Sequence, residues 1–417
     1  MARSYVILGD GIAGSSAAET IREEDPDGSI TVVTDEDEPL YNRILIKEFA
    51  KGTMPEAPIQ IHEESWYTDR DIELRLGTRV TDIDTGARRV ETADGDDLDY
   101  DRLLVATGGT PTRLPVEGAT AEGVHYFWTF DDARRIREAA GDAERSVVVG
   151  AGLLGIDLAA ICGAQGVAAR YLMRGNRWWR YALSEAGAEI VHEGLREKGV
   201  TPVFDSGVER FEVDAGHVTA AIDSSGSRHP ADFVGIAVGL DFNTAFLDET
   251  PVECADGIVV DEHMATGTPG IYAAGDITQY HDVILDDRTQ NGTWGSAKEQ
   301  GVVAGRNMVA DDDPATFRYV PSYSITHFEF PFLSFGHPTI GEEHAERTYE
   351  DGVWRRLAFR DGALVGGVLI GDVSQQRALK TVIREERPVA DHIDALLAEE
   401  IDLDALPPSP VEAAAEE

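Results

Sequence analysis

The apolar positions of this chain contain one pattern twice. YVIL, residues Tyr5–Leu8, is a short apolar run. It enters GDGIAG, and a stretch with helical spacing of small and apolar residues follows before a second apolar run, ITVVT, ending at Asp35. RSVVVGAGLLGIDLAAICGAQGVAARYLMRG repeats the order strand, glycine turn, helix and strand. Short apolar runs bounded by glycine read as buried parallel strands, and the longer spacing between them reads as helix. Further strands are expected in YDRLLVATGGTP, which ends in a Gly-rich turn with Pro111, in DFVGIAVGLDFN, and in TGTPGIYAAGD, which ends at Gly275–Asp276. Helical spacing returns from about Trp294 to Met308. From about residue 319 the character changes: YSITHFEFPFLSFG, WRRLAFRDG and ALVGGVLIGD read as strands with turns between them, and QQRALKTVIREE as a helix. Phe328, Phe330 and Phe332 alternate as in a strand with one packed face.

The glycines point to a ligand. Gly9, Gly11 and Gly14 allow a tight turn and close approach of the backbone to a pyrophosphate seated on the helix N-terminus. Asp35, with Glu36 as the second choice, stands where an acid would hold a ribose. Gly150, Gly152 and Gly155 make the same provision again. Two such units suggest two nucleotides brought face to face, as hydride transfer between a nicotinamide and a flavin requires.

Composition narrows the class. The 417 residues suffice for two or three domains, and 42% hydrophobic content is ordinary for a globular protein. No run approaches the 18 or so apolar residues of a membrane helix. The N-terminus enters a strand at once without a signal-peptide pattern, so a soluble cytoplasmic protein is expected. The charge is not ordinary: 77 acidic residues face 36 basic ones, a net of -41, and only five of the basic residues are lysines. Self-repulsion on that scale disfavours a compact state in dilute buffer. Molar salt, with a Debye length of about 3 Å, screens it. Dispersed acid with scarce lysine is a halophilic composition, and binding to nucleic acid is disfavoured. Cys162 and Cys254 lie far apart and outside any CxxC pattern, so neither a zinc site nor a dithiol centre is supported, and no metal is expected.

The ordered set GDGIAG, VATGGTP, GAGLLGID and TGTPGIYAAGD resembles the FAD-dependent pyridine nucleotide oxidoreductases with two dinucleotide folds. The pattern is similar to nitrite reductase flavoprotein parts, rubredoxin and ferredoxin reductases, and NADH oxidases. LVGGVLIGDV resembles that family's small interface domain. The resemblance covers roughly residues 4–395. It implies an α/β fold with two Rossmann-like, glutathione-reductase-like domains and a small C-terminal α+β domain. The expected boundaries are 1–112 with 248–318 for FAD, 113–247 for NAD(P), 319–398 for the interface domain and 399–417 for a mobile acidic tail.

The resemblance also implies roles. Gly9, Gly11, Ile12, Ala13 and Gly14 would hold the FAD pyrophosphate, and Asp35 or Glu36 the adenosine ribose. Ala106, Thr107 and Gly108 would lie beside the FAD, as would Gly275, Asp276 and Arg43. Trp294 and Gln300 lie on the helix that approaches the pyrimidine end of the flavin. Lys47 would be the flavin-side cation, although the family's lysine is commonly one residue further on. Asp157 stands in place of the glutamate that pairs with that lysine. Gly150, Gly152, Leu153, Leu154 and Gly155 would hold the nicotinamide nucleotide. Relatives with redox cysteines carry one in the segment occupied here by YNRILIKEFA, which has none, so disulfide chemistry is not expected.

One stretch departs from the pattern. YLMRGNRWWR places Met173 where an NAD-selecting acid is expected, followed by Arg174, Arg177 and Arg180. Three readings stand. Arg174 and Arg177 could accept a 2′-phosphate, favouring NADPH. The arginines could instead pair with surface acids. Or the second site could have lost its nucleotide.

The sequence therefore predicts a flavoenzyme taking hydride from NADH or NADPH and passing electrons to a separate acceptor. That acceptor is a ferredoxin- or rubredoxin-like protein, a quinone or dioxygen. The alternative is a redox-sensing or binding flavoprotein with a weak nicotinamide site. A homodimer is compatible with the small domain.

Overall fold

The computed structural model describes residues 2–410, and its internal contacts divide the chain into two units. The first holds the chain up to Asn42, Ala57–Thr110 and Asp241–Pro321. The second holds Arg43–Glu56, Pro111–Leu240 and the chain from Ser322. Residues 411–417 of the expected tail lie outside the described residues. Just before them, the Ser409 hydroxyl donates to the Glu385 carbonyl at 2.9 Å, and Arg387 donates to the Leu403 carbonyl at 2.7 Å.

The first unit is built on a five-stranded sheet in the order Ile271–Ala273, Arg102–Val105, Ser4–Leu8, Ser29–Val33 and Ile72–Arg75. All neighbours are parallel. The register aligns the strand ends: Leu8 lies opposite Val33 and Val105, and Val105 opposite Ala273. The turns that follow, at Gly9, Asp35, Ala106–Gly108 and Gly275, therefore leave the same edge of the sheet. In an open α/β sheet, that carboxyl-end edge is where ligands bind.

Helix Ile12–Glu24 covers this sheet and packs on helix Trp294–Val309. The contact depends on two small residues one turn apart. A methyl group on Gly301 would overlap the backbone of Ala13, and one on Gly305 would come 2.9 Å from the Ala17 carbonyl oxygen.

The second unit repeats the plan: Val200–Val203, Ala168–Leu172, Arg145–Val149, Phe233–Ile236 and Val124–Tyr126 form a parallel five-stranded sheet. Leu172 and Ile236 both lie opposite Val149, so Gly150 and Met173 also leave one edge. A second, antiparallel sheet belongs to this unit, in the order Ser322–Ile325, Phe332–Gly336, Ala363–Ile370, Trp354–Arg360 and Glu343–Thr348. Helix Gln376–Arg384 packs on it. No motif marked two three-stranded antiparallel ladders, Val80–Asp84 with its partners in the first unit and Val208–Asp214 with its partners in the second, or the mixed sheet of Ile258–Val260, Thr278–Asp282 and Asp287–Thr289 in the first.

The expected Phe328–Phe330–Phe332 alternation is not one strand. Only Phe332 lies in a strand, and residues 326–331 form the connection before it. Pro331 has no N–H for a ladder. Phe328 and Phe330 instead stack on each other at 4.9 Å, against Gly194 of helix Glu185–Glu197.

Because Gly301 packs directly on the Ala13 backbone, Gly301→Ala is expected to cost about 1–3 kcal/mol through overpacking. Thermal unfolding in molar salt measures this, and an unchanged midpoint would contradict the close helix contact.

Candidate functional site

Both glycine turns have the geometry expected of a phosphate cradle. Gly9 has φ 103° and Gly150 φ 120°, conformations that a side chain would strain. A methyl group on Gly14 would overlap the Gly9 carbonyl, and one on Gly155 the Gly150 carbonyl, so these glycines let each helix seat against its own turn. Gly11 and Gly152 differ: nothing lies within 4 Å of a methyl group built there. Each is the N-cap of its helix, and neither offers a side chain to the first N–H groups. An uncapped helix start with open backbone above it fits an anionic ligand. Ile12, Leu153 and Leu154 are half-buried at these helix starts, whereas Ala13 is buried.

In the first unit the other expected residues line the same sheet edge. Asp35 is exposed, 3.7 Å from Arg79. Glu36 is half-buried and accepts a 2.6 Å hydrogen bond from the Tyr41 hydroxyl, so it is the more firmly held acid. Ala106 is buried, Thr107 donates to the Asn243 carbonyl at 3.4 Å, and Gly108 has φ 57°. Gln300 is wholly buried and accepts from the Gly275 amide and the Thr278 hydroxyl, both at 2.8 Å. It holds the Gly275 turn in place. Asp276 and Trp294 are half-buried nearby on the chain.

The motif's second position carries an unusual group. Asp10, between Gly9 and Gly11, is buried and accepts from the Tyr67 hydroxyl at 2.8 and 2.7 Å and from the Leu40 amide at 3.0 Å. Burial pushes its carboxyl up to about 7 despite those hydrogen bonds, with the charge of Glu36 adding to the shift.

In the second unit, Lys47 and Asp157 meet: their Nζ and Oδ1 are 3.3 Å apart, with both side chains almost wholly buried. Lys47 itself thus faces the acid. Two groups the motifs did not mark also reach Asp157. The Tyr323 hydroxyl lies 3.2 Å from Oδ2, and His327 Nε2 lies 2.5 Å from Oδ1. Burial pushes the Asp157 carboxyl up, but the His327 hydrogen bond and the Lys47 charge outweigh it and hold the carboxyl below its ordinary value. Arg43 donates to the Trp128 carbonyl at 3.0 Å and lies over the Trp128 ring.

The arginine-rich stretch resolves into separate parts. Met173 is fully buried and continues the sheet, its amide donating to the Val203 carbonyl at 2.9 Å. Arg177 binds its own loop, donating to the carbonyls of Leu183 at 2.9 Å and Arg180 at 3.2 Å. Arg180 stacks on Tyr181. Arg174 is exposed, with no hydrogen bond or ion pair among the described residues. Trp178 is wholly buried, and its indole N–H donates to the Gly152 carbonyl at 3.3 Å, which braces the second turn.

Two parallel sheets, each with a glycine turn opening a helix, define a two-dinucleotide-fold protein. Residues 3–301 match the family model for pyridine nucleotide-disulphide oxidoreductases, and residues 321–387 match that for the rubredoxin NAD+ reductase C-terminal domain. The chain belongs to the pyridine nucleotide-disulphide oxidoreductase family. It is 31% identical over 281 residues to the biphenyl dioxygenase system ferredoxin–NAD(+) reductase component of Paraburkholderia xenovorans, covering 67% of this chain and 68% of that protein. It is 28% identical over 313 residues to a rubredoxin-NAD(+) reductase of Pseudomonas putida, covering 75% and 81%. Putidaredoxin reductase in its covalent complex with putidaredoxin superimposes with a TM-score of 0.90 at 25% identity, covering 99% of both chains. Both cysteines are free thiols, and among the described residues no helix is long and apolar enough to cross a membrane.

Asp10 gives the first turn a pH signature. Its folded pKa is raised, so the stability it contributes is full below the ordinary carboxylate value of about 3.9 and is lost as pH rises through about 7. Asp10→Asn is expected to remove that slope and to exceed the parent's stability at about pH 8, each pKa unit being worth about 1.4 kcal/mol. Denaturant unfolding from about pH 5 to 8 measures it, and parallel parent and variant curves would contradict the assignment.

Proposed function

We propose that this protein is an FAD-dependent NAD(P)H oxidoreductase that delivers electrons to a ferredoxin- or rubredoxin-like protein. The observation that carries the reading is the pair of open, uncapped glycine turns, one on each parallel sheet. The names of the relatives support the acceptor class. When bound, FAD supplies the conversion of a two-electron hydride into single electrons.

The chain's own residues bind, orient and polarise. Gly11, Ile12, Ala13 and Gly14 offer backbone N–H groups to the FAD pyrophosphate at the turn that Gly9 bends, and Glu36 or Asp35 takes the adenosine ribose. Ala106, Thr107, Gly108, Gly275, Asp276, Trp294 and Arg43 complete that site. Gly150, Gly152, Leu153, Leu154 and Gly155 hold the nicotinamide nucleotide. Lys47, kept in place by Asp157, supplies a buried cation where negative charge develops. In domain terms, 1–112 with 248–318 carry the FAD, 113–247 the nicotinamide nucleotide and 319–398 the interface domain. The setting is a salt-rich cytoplasm.

Arg174 favours a second donor. The relatives' names support NADH, while the exposed Arg174 guanidinium beside an acid-free strand end supports acceptance of a 2′-phosphate as well. Arg177, engaged with its own loop, is the weaker contributor.

Steady-state NAD(P)H oxidation in molar potassium chloride, with FAD confirmed by absorption, tests the main reading. Turnover is expected with a ferredoxin or a rubredoxin as acceptor; turnover with neither would contradict it. Arg174→Ala is expected to raise the KM for NADPH about tenfold while leaving that for NADH within about twofold. An equal change for both nucleotides would remove Arg174 from phosphate recognition.

A further inference from the structure

The ion pair of Lys47 and Asp157 is one end of a longer chain of contacts. Glu48 Oε1 lies 2.9 Å from Lys51 Nζ, and Lys51 Nζ lies 2.7 Å from His327 Nδ1. His327 Nε2 lies against Asp157 Oδ1, the same oxygen that faces Lys47. We infer that His327 and Lys51 are positioning residues that hold the Lys47–Asp157 pair through one locked imidazole tautomer. This deepens the proposed function and rests on it for the catalytic readout alone.

The lock follows from donor and acceptor chemistry. An ammonium has three donors and no acceptor, so Nδ1 of His327 must accept from Lys51. The ring proton is then on Nε2, where it donates to the Asp157 carboxylate. A doubly protonated ring would set two cations face to face across 2.7 Å in a buried place. Burial itself lowers the pKa of His327, with the hydrogen bond to Asp157 opposing. The charged and titratable groups facing the ring are Lys47, Glu48 and Lys51 from the 43–56 segment and Asp157 from helix Leu153–Ala164; Tyr323, from the ring's own segment, reaches the same carboxylate.

The geometry has a consequence for Lys47. Asp157 Oδ1 receives Lys47 and His327, and Oδ2 receives Tyr323. Two of these three donors come from the C-terminal segment, so that segment aims the carboxylate at the lysine. Glutamine carries an acceptor oxygen and a donor nitrogen on one carbon and can satisfy Lys51 and Asp157 together; leucine can satisfy neither.

The test has two parts. Ring 15N shifts of the full chain, with labelled histidine and no nucleotide donor or acceptor present, are expected to show His327 as the Nε2–H tautomer, unchanged from about pH 5 to 9. Lys51→Met is expected to free the ring, which then titrates toward the ordinary histidine value of about 6.5. The Nδ1–H tautomer, or titration of the parent in that range, would overturn the inference. The second part is anaerobic reduction of bound FAD by saturating NADH. His327→Leu is expected to be slowed about tenfold or more and His327→Gln to stay within about threefold of the parent. Equal rates for the two variants would overturn a positioning role. The ring measurement needs no turnover, so it fails or holds separately from the proposed function.

Discussion

A buried ammonium against a buried carboxylate is an arrangement that a protein cannot leave half made. Lys47 and Asp157 are both withdrawn from water, and removal of either partner from such a pair typically costs about 3–5 kcal/mol because the other charge remains uncompensated. The second unit is organised around this constraint. The 43–56 segment brings Lys47, Glu48 and Lys51; the helix after the second glycine turn brings Asp157; the segment opening the antiparallel sheet brings Tyr323 and His327. These segments are distant in sequence, and the charge cluster ties each of them to the others.

The glycine turns impose the complementary constraint on the backbone. Each must bend through a positive φ, seat its helix closely, and leave the first helical N–H groups open. The protein supports these turns from behind with buried polar contacts. Gln300 clamps the Gly275 turn, Asp10 receives Tyr67 and Leu40 at the first turn, and the Trp178 indole holds the Gly152 carbonyl at the second. Open backbone in front with polar bracing behind is what an anionic nucleotide site requires.

The turns and their parallel strands were legible because a period of apolar runs broken by glycine has one physical solution. The pairing of Lys47 with Asp157 was legible only through resemblance, because its partners are 110 residues apart. Tyr323 and His327 lie 166 and 170 residues from Asp157, and no local pattern marks a tyrosine or histidine for a charge cluster. Asp10 did carry a signal, an acid inside the turn meant for phosphates. Within the row of arginines the parts divide: Arg174 stays exposed, Arg177 serves its own loop, Met173 serves the core, and the tryptophan between the arginines braces the turn. Phe328 and Phe330 misled by alternation, which Pro331 prevents from becoming a ladder.

Under the proposed function, Lys47, fixed by Asp157, is the cation that favours the reduced flavin. The midpoint potential of the bound flavin in the parent and in Lys47→Met tests it most directly. A cation that favours the reduced state should be missed when removed, so the potential is predicted to fall by about 30 mV or more, the equivalent of about 1.4 kcal/mol for a two-electron couple. A folded variant with full flavin content and an unchanged potential would contradict the account.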